Sequence, residues 1–357
     1  MRRGLISRSA VELPDAVLEA RLMRVRAAMR AATLDALLIY TNNTRPAGVS
    51  WLTGFVPYWS EAMLVVPRDG APYLVAALSF RVKSWIERVS RLGDVLHHPR
   101  IGLRAAQQIA AAKKNAAVGI VDFDGLPAGI AADLREAGPE LKLSDGSALF
   151  AQLRGVADPA EIALAGKAAA IAQAALAQAD GASLNAMIAA VERQARLLGA
   201  EEIYVAAAPD LAREVRFIRI EGEPARGKNF ALRATVAYKG TWVRLVRAFC
   251  EPALLDEAAA QLAEAIAHLP SGDGFAKFKS FVVEGCRMAQ PLEVLMVSRV
   301  EFANPPAPGA LVSVQAAIDI DGMTVPVGAP ALVGAAGAAG SLLASPLCDD
   351  AVDRLGP

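Results

Sequence analysis

The chain has 357 residues, enough for two domains that each bury their own core. Lys plus Arg and Asp plus Glu both number 37, so the formal net charge is zero, and nothing in the charge balance calls for nucleic acid or an anionic membrane as partner. Three cysteines, Cys250, Cys286 and Cys348, are too few and too scattered for a disulfide framework or a zinc knuckle.

The first residues, Met1-Arg-Arg-Gly-Leu-Ile-Ser-Arg-Ser, carry positive charge with no apolar stretch behind them, so a cytoplasmic protein is expected. In chain order, Leu18, Leu22, Val25 and Met29 recur at spacings of three and four, which predicts an amphipathic helix over 15–32. Asp35-Ala-Leu-Leu-Ile-Tyr reads as a buried strand, and 41–48 is rich in turn formers. The runs at 62–67 and 72–77 flank Arg68-Asp-Gly-Ala, which predicts a hairpin with an Asp-Gly turn. A strand at 117–122 and a helix at 127–137 follow, so the first part alternates strands and helices as an α/β domain does.

The second part opens differently. Asp158-Pro-Ala-Glu161 combines an N-cap Asp, a Pro at the first helical position and a Glu at the third, and starts a helix running to about 179. Ser183 caps a second helix that ends at Gly199. Strands at 230–238 and 241–249 meet at Lys239-Gly240, a helix covers 254–268, and strands are expected near 281–284, 292–300, 311–320 and 323–333. Helices first and antiparallel strands after them read as α+β. The stretch 329–347, the most membrane-like of the chain, carries Gly, Ser and Pro and reads as a buried strand followed by a tail.

Two passages resemble the creatinase/aminopeptidase P family. Val49-Ser-Trp-Leu-Thr-Gly-Phe55 is similar to a Tyr-Leu-Thr-Gly-Phe passage of that family's N-terminal domain. Leu153-Arg-Gly-Val-Ala-Asp-Pro-Ala-Glu-Ile162 is similar to the start of its catalytic domain. The resemblance implies an N-terminal α/β domain, ribonuclease H-like, over 1–152, an α+β pita-bread domain over 153–345, and a C-terminal tail over 346–357.

The family's metallopeptidases hold two divalent ions with two Asp, one His and two Glu, and a bridging water becomes the nucleophile. Carried over motif by motif, the two Asp positions fall on Arg233 and Arg244, within a run in which Tyr238, Gly240, Arg247 and Phe249 keep the family frame. The His position falls on Met288, and the two Glu positions on Gln315 and Gly328. Two guanidiniums, a thioether, an amide and a glycine replace five ligands, so no metal and no other cofactor is expected. Creatinase works without metal through His and Glu groups of the same cleft, and Met288, Gln315 and Gly328 supply neither. The family's substrate-facing His has no counterpart in 205–217.

Arg233 and Arg244, if brought together with Gln315, would form an anion site. The alternative is that they pair with carboxylates such as Glu284 or Glu293, or simply reach solvent. His97 and His98, before Pro99, lack a further clustered ligand and read as surface or packing residues. His268 suits a helix C-terminus, and Asp319 and Asp321 suit a hairpin turn. Cys286 reads as a buried inert thiol, and Trp51, Phe55, Tyr58 and Trp59 as core or dimer-interface aromatics.

Three functions follow. The favoured one is a catalytically lapsed scaffold that binds a small anion or a protein, as a homodimer or as a heterodimer with an intact paralogue. The second is a metal-independent hydrolase or lyase acting on a small C–N substrate in the same cleft. The third is a working metallohydrolase, against which three histidines in the whole chain weigh.

Overall fold

The computed structural model describes residues 8–42, 45, 47–57, 60–269, 273–286, 306–335 and 338–348. The chain divides into two compact units, Met1–Arg154 and Gly155–Pro357.

In the first unit, α1 (Asp15–Ala31) buries Leu18, Arg21, Val25 and Met29, one stripe at helical spacing. Strands β1 (Ala36–Thr41), β2 (Ala62–Pro67), β3 (Tyr73–Ala76), β4 (Asp94–His97), β5 (Ala117–Val121) and β6 (Lys142–Asp145) form one sheet in the order β4-β3-β2-β1-β5-β6. The β1–β2 and β2–β3 pairs are antiparallel, and β1–β5, β3–β4 and β5–β6 are parallel. Gly70 takes the expected turn between β2 and β3 with φ at +100°.

Both faces of this sheet are covered. Leu37, Ile39, Leu64 and Val66 pack with α1 and with Trp51, Phe55, Ile86 and Phe150 from α2 (Ala47–Thr53), the loop after it, α3 (Lys83–Val89) and α6 (Ser147–Gly155). Leu38, Met63, Val65, Val118 and Ile120 pack on the other side against α4 (Ile101–Ala112) and α5 (Ala128–Ala137). Two covered faces explain why these strands read as unbroken apolar runs.

The second unit begins with α7 (Pro159–Ala177), held by the expected capping box: Asp158 accepts from the Glu161 amide, and Glu161 accepts from the Asp158 amide. Ser183 caps α8 (Leu184–Leu197) by accepting from Ala186 N. Although α7 is long and apolar enough to cross a membrane, most of it is buried, packed on strands and on α8, which makes it a core helix.

Strands β7 (Glu202–Ala208), β8 (Phe230–Tyr238), β9 (Thr241–Phe249), β10 (Ser280–Gly285), β11 (Leu311–Ile320) and β12 (Met323–Leu332) form an antiparallel sheet ordered β10-β11-β12-β9-β8-β7, with β13 (Ser341–Leu342) paired to β12. The β8–β9 hairpin closes at Lys239 and Gly240, both at positive φ, and β11–β12 closes at Asp321 and Gly322 in the same way. Helices α7 and α9 (Pro252–Ala267) pack on one face of the sheet, and α8 packs on α7 and β7.

Several elements had no counterpart in the sequence reading: β7, α2, α3, α4, α6 and β6. The strand expected at 292–300 lies outside the described residues.

Candidate functional site

The antiparallel sheet has two unlike faces. Phe230, Leu232, Ala234, Val236, Val243, Leu245, Val312, Val314, Val325 and Val327 alternate onto the helix-covered face. The intervening residues share the other face, because strand alternation sends every second side chain to the same side. Register then lines them up across the sheet: Ala206 lies beside Arg233, Arg233 beside Val246, Val246 beside Gly328, Gly328 beside Gln315, and Gln315 beside Val282. In the next row Tyr204 pairs with Thr235, Thr235 with Arg244, and Ser313 with Glu284. Four of the five positions singled out from the sequence therefore share one face, and Met288 lies outside the described residues.

These side chains are joined. Arg233 Nη1 donates to Gln315 Oε1 at 3.2 Å, and Gln315 Nε2 donates to Glu284 Oε2 at 3.1 Å. Arg244 Nη1 donates to the same Glu284 oxygen in an ion pair. The Arg244 amide donates to Ser313 Oγ at 3.0 Å, and Cys286 Sγ sits 3.6 Å from that hydroxyl. Arg233 also stacks its guanidinium 5.2 Å from the centre of the Phe217 ring. The loop that carries Phe217 is tied back to β7 by two 2.9 Å hydrogen bonds between Ala207 and Ile218.

Burial is nearly complete: Arg233 is 3%, Arg244 6% and Gln315 0% exposed. Two guanidiniums removed from water need partners, and here an amide and a carboxylate bridge them. The pairing of Arg244 with Glu284 is the alternative to an open anion site that the sequence allowed.

Gly328 has a separate reason to be glycine. A Cβ there would meet the Val314 carbonyl oxygen at 2.7 Å and Val246 Cγ2 at 3.0 Å. The β11 backbone and the Val246 side chain of β9 approach too closely at this point for any side chain without a local shift.

A dinuclear centre of the kind the resemblance implies does not fit these residues. Guanidiniums repel divalent cations and stay protonated, Gln315 spends both ends of its amide on neighbours, and position 328 has no room for a carboxylate. Among the described residues there is no group of three or more His, Cys, Asp or Glu placed to hold a metal ion.

The remaining candidates fall elsewhere. His98 Nδ1 lies 2.8 Å from the Arg100 carbonyl on an exposed segment, and His268 Nδ1 lies 2.8 Å from the Glu264 carbonyl at the end of α9. Trp51 and Phe55 pack in the first unit's core, while Tyr58 and Trp59 lie outside the described residues. The sequence reading named neither Ser313 nor Thr235 nor the buried Glu202. The signal for Thr235 and Ser313 was their spacing of two from Arg233 and Gln315, which places them on the same face, whereas Glu202 lies on β7, a strand the sequence did not announce.

Comparison with known proteins agrees with this architecture. The Creatinase/Prolidase N-terminal domain family matches residues 21–156. No curated protein matches the chain in sequence. Among solved structures, the X-Pro aminopeptidase from Thermotoga maritima is similar with a TM-score of 0.68 at 13% identity, covering 90% of this chain and 97% of that one. The Xaa-Pro dipeptidase from Bacillus anthracis is similar with a TM-score of 0.66 at 17% identity, covering 91% and 97%. The prolidase from Pyrococcus horikoshii gives 0.64 at 15% identity, covering 91% and 97%. At such identities the likeness speaks for the fold alone, which is a creatinase N-terminal domain followed by a pita-bread domain. The domain match assigns residues 21–156 to the Creatinase/Prolidase N-terminal domain family, and the structural likeness gives the chain as a whole the two-domain fold of prolidases and X-Pro aminopeptidases.

Proposed function

We propose that this chain is a catalytically lapsed, metal-free member of the creatinase/aminopeptidase P family, a cytoplasmic protein that acts by binding a protein partner. The carrying observation is the buried Arg233–Gln315–Glu284–Arg244 network on the sheet face where the sequence resemblance expects carboxylate ligands. The network engages both guanidiniums internally, which favours a protein partner over a small anion in that cleft. A homodimer or a heterodimer with an intact paralogue is the form of partnership proposed. The creatinase-like alternative has less support: Cys286 is buried beside Ser313, and His268 is turned onto its own helix.

The test is metal content by ICP-MS on protein purified with manganese, cobalt and zinc, together with hydrolysis of Xaa-Pro dipeptides in the same buffers. A metal ratio near zero and no turnover are expected. One or two ions per chain, or metal-dependent turnover, overturns the reading.

A further inference from the structure

A cavity lies in the N-terminal unit between α1, α2 and the turn joining β2 to β3. It encloses about 430 Å³, within the range of small-molecule sites. Leu18, Leu22, Leu52 and Leu92 give it an apolar lining, and its charged groups are Glu19, Arg26 and Arg91.

The three charges do not cancel. Arg91 donates to Glu19 Oε2 at 2.8 Å and to the Asp15 carbonyl at 2.7 Å, which ties it to α1 and neutralises Glu19. Arg26 is left as the excess cation. One Nη of Arg26 donates to the Gly70 carbonyl, the residue lines the cavity, and among the described residues no carboxylate pairs with it. A cavity-lining guanidinium with no carboxylate partner is matched in charge and in planar shape by a ligand carboxylate.

We propose that this cavity binds a small monocarboxylate with an apolar body, its carboxylate on Arg26 and its body against the leucines. An apolar lining with one excess charge favours an amphipathic acid over a free inorganic anion or a neutral hydrocarbon. The site stands in the N-terminal unit, so it is independent of whether the pita-bread domain holds metal.

Titration of the full-length protein with octanoate and with octanamide, followed by calorimetry or amide chemical shifts, tests this. Saturable one-to-one octanoate binding is expected, with octanamide at least tenfold weaker. Arg26→Met should weaken octanoate at least tenfold. Ala71→Trp, at an exposed residue lining the mouth, should block both compounds and answers the question even if the Arg26 variant fails to fold. Absence of saturable octanoate binding, equal affinity for acid and amide, or unchanged binding in Ala71→Trp overturns the proposal.

Discussion

The two sheets of this protein dispose of charge in opposite ways. The N-terminal sheet is apolar on both faces and keeps its charges at strand ends and on the rim. Asp35, just before β1, accepts from Lys113 Nζ at 2.7 Å and the Ala117 amide at 3.0 Å, and pairs with Arg68 at 3.1 Å. Arg100 binds Asp133 and Glu136 on an exposed surface. The C-terminal sheet is apolar on one face only; on the other it buries two arginines and a glutamine, joined to the half-buried Glu284. Rim charges are screened and replaceable, whereas buried charges stand or fall together. The same kinds of residue therefore carry different stakes in the two domains.

The largest effect is expected from breaking the buried network at one point. Glu284→Leu removes the carboxylate that Arg244 and Gln315 share, and should cost about 3–5 kcal/mol in chemical denaturation followed by circular dichroism. Replacing the whole network tests the comparison from the other side. The quadruple variant Arg233→Met, Arg244→Met, Glu284→Leu, Gln315→Leu should be neutral or more stable by about 1–4 kcal/mol, because the joined charges leave together. If the quadruple variant is as unstable as Glu284→Leu, the face does not tolerate apolar packing and the charges are not interchangeable with it.

A smaller effect is expected at Asp35. The hydrogen bond from Lys113, then the Ala117 amide and the charges of Lys113 and Arg68, hold its carboxyl below the ordinary carboxylate range against the opposing effect of burial. Its contribution is complete above the unfolded value near ~4 and fades as pH falls through the depressed folded value. Asp35→Asn should cost about 1–2 kcal/mol at pH 7, and the gap to the native protein should close on acidification. A gap that stays constant with pH would mean that the carboxylate charge plays no part. The smallest effect belongs to Arg100→Ala, which should leave the melting temperature unchanged, since both its ion pairs are exposed.

Local chemistry made part of the fold legible. The Asp158 capping box, the Ser183 cap, and the turns at Lys239-Gly240 and Asp321-Gly322 are short-range devices whose residues specify them wherever they occur. The helix stripe of α1 and the hairpin of β2 and β3 follow from spacing alone. By contrast, Glu202-Ile-Tyr-Val-Ala-Ala-Ala does not announce β7, because its alanines fit helix or strand equally, and pairing with β8 decides it. In α2, the residues before Gly54 are a family-like passage whose helix depends on packing Trp51 against Phe150, nearly a hundred positions away.

The candidate site divides the same way. The sequence by itself determined that arginine, glutamine and glycine stand at the positions where the resemblance leads one to expect ligands, since that expectation concerns residue identity in a motif frame. Only the tertiary structure decided what those residues do. Arg233 and Gln315 meet across 82 positions of sequence through four strands, and Glu284 reaches Arg244 across 40. Such contacts have no local signature, because register between distant strands is fixed by the packing of the apolar face and not by the polar residues that ride on the other.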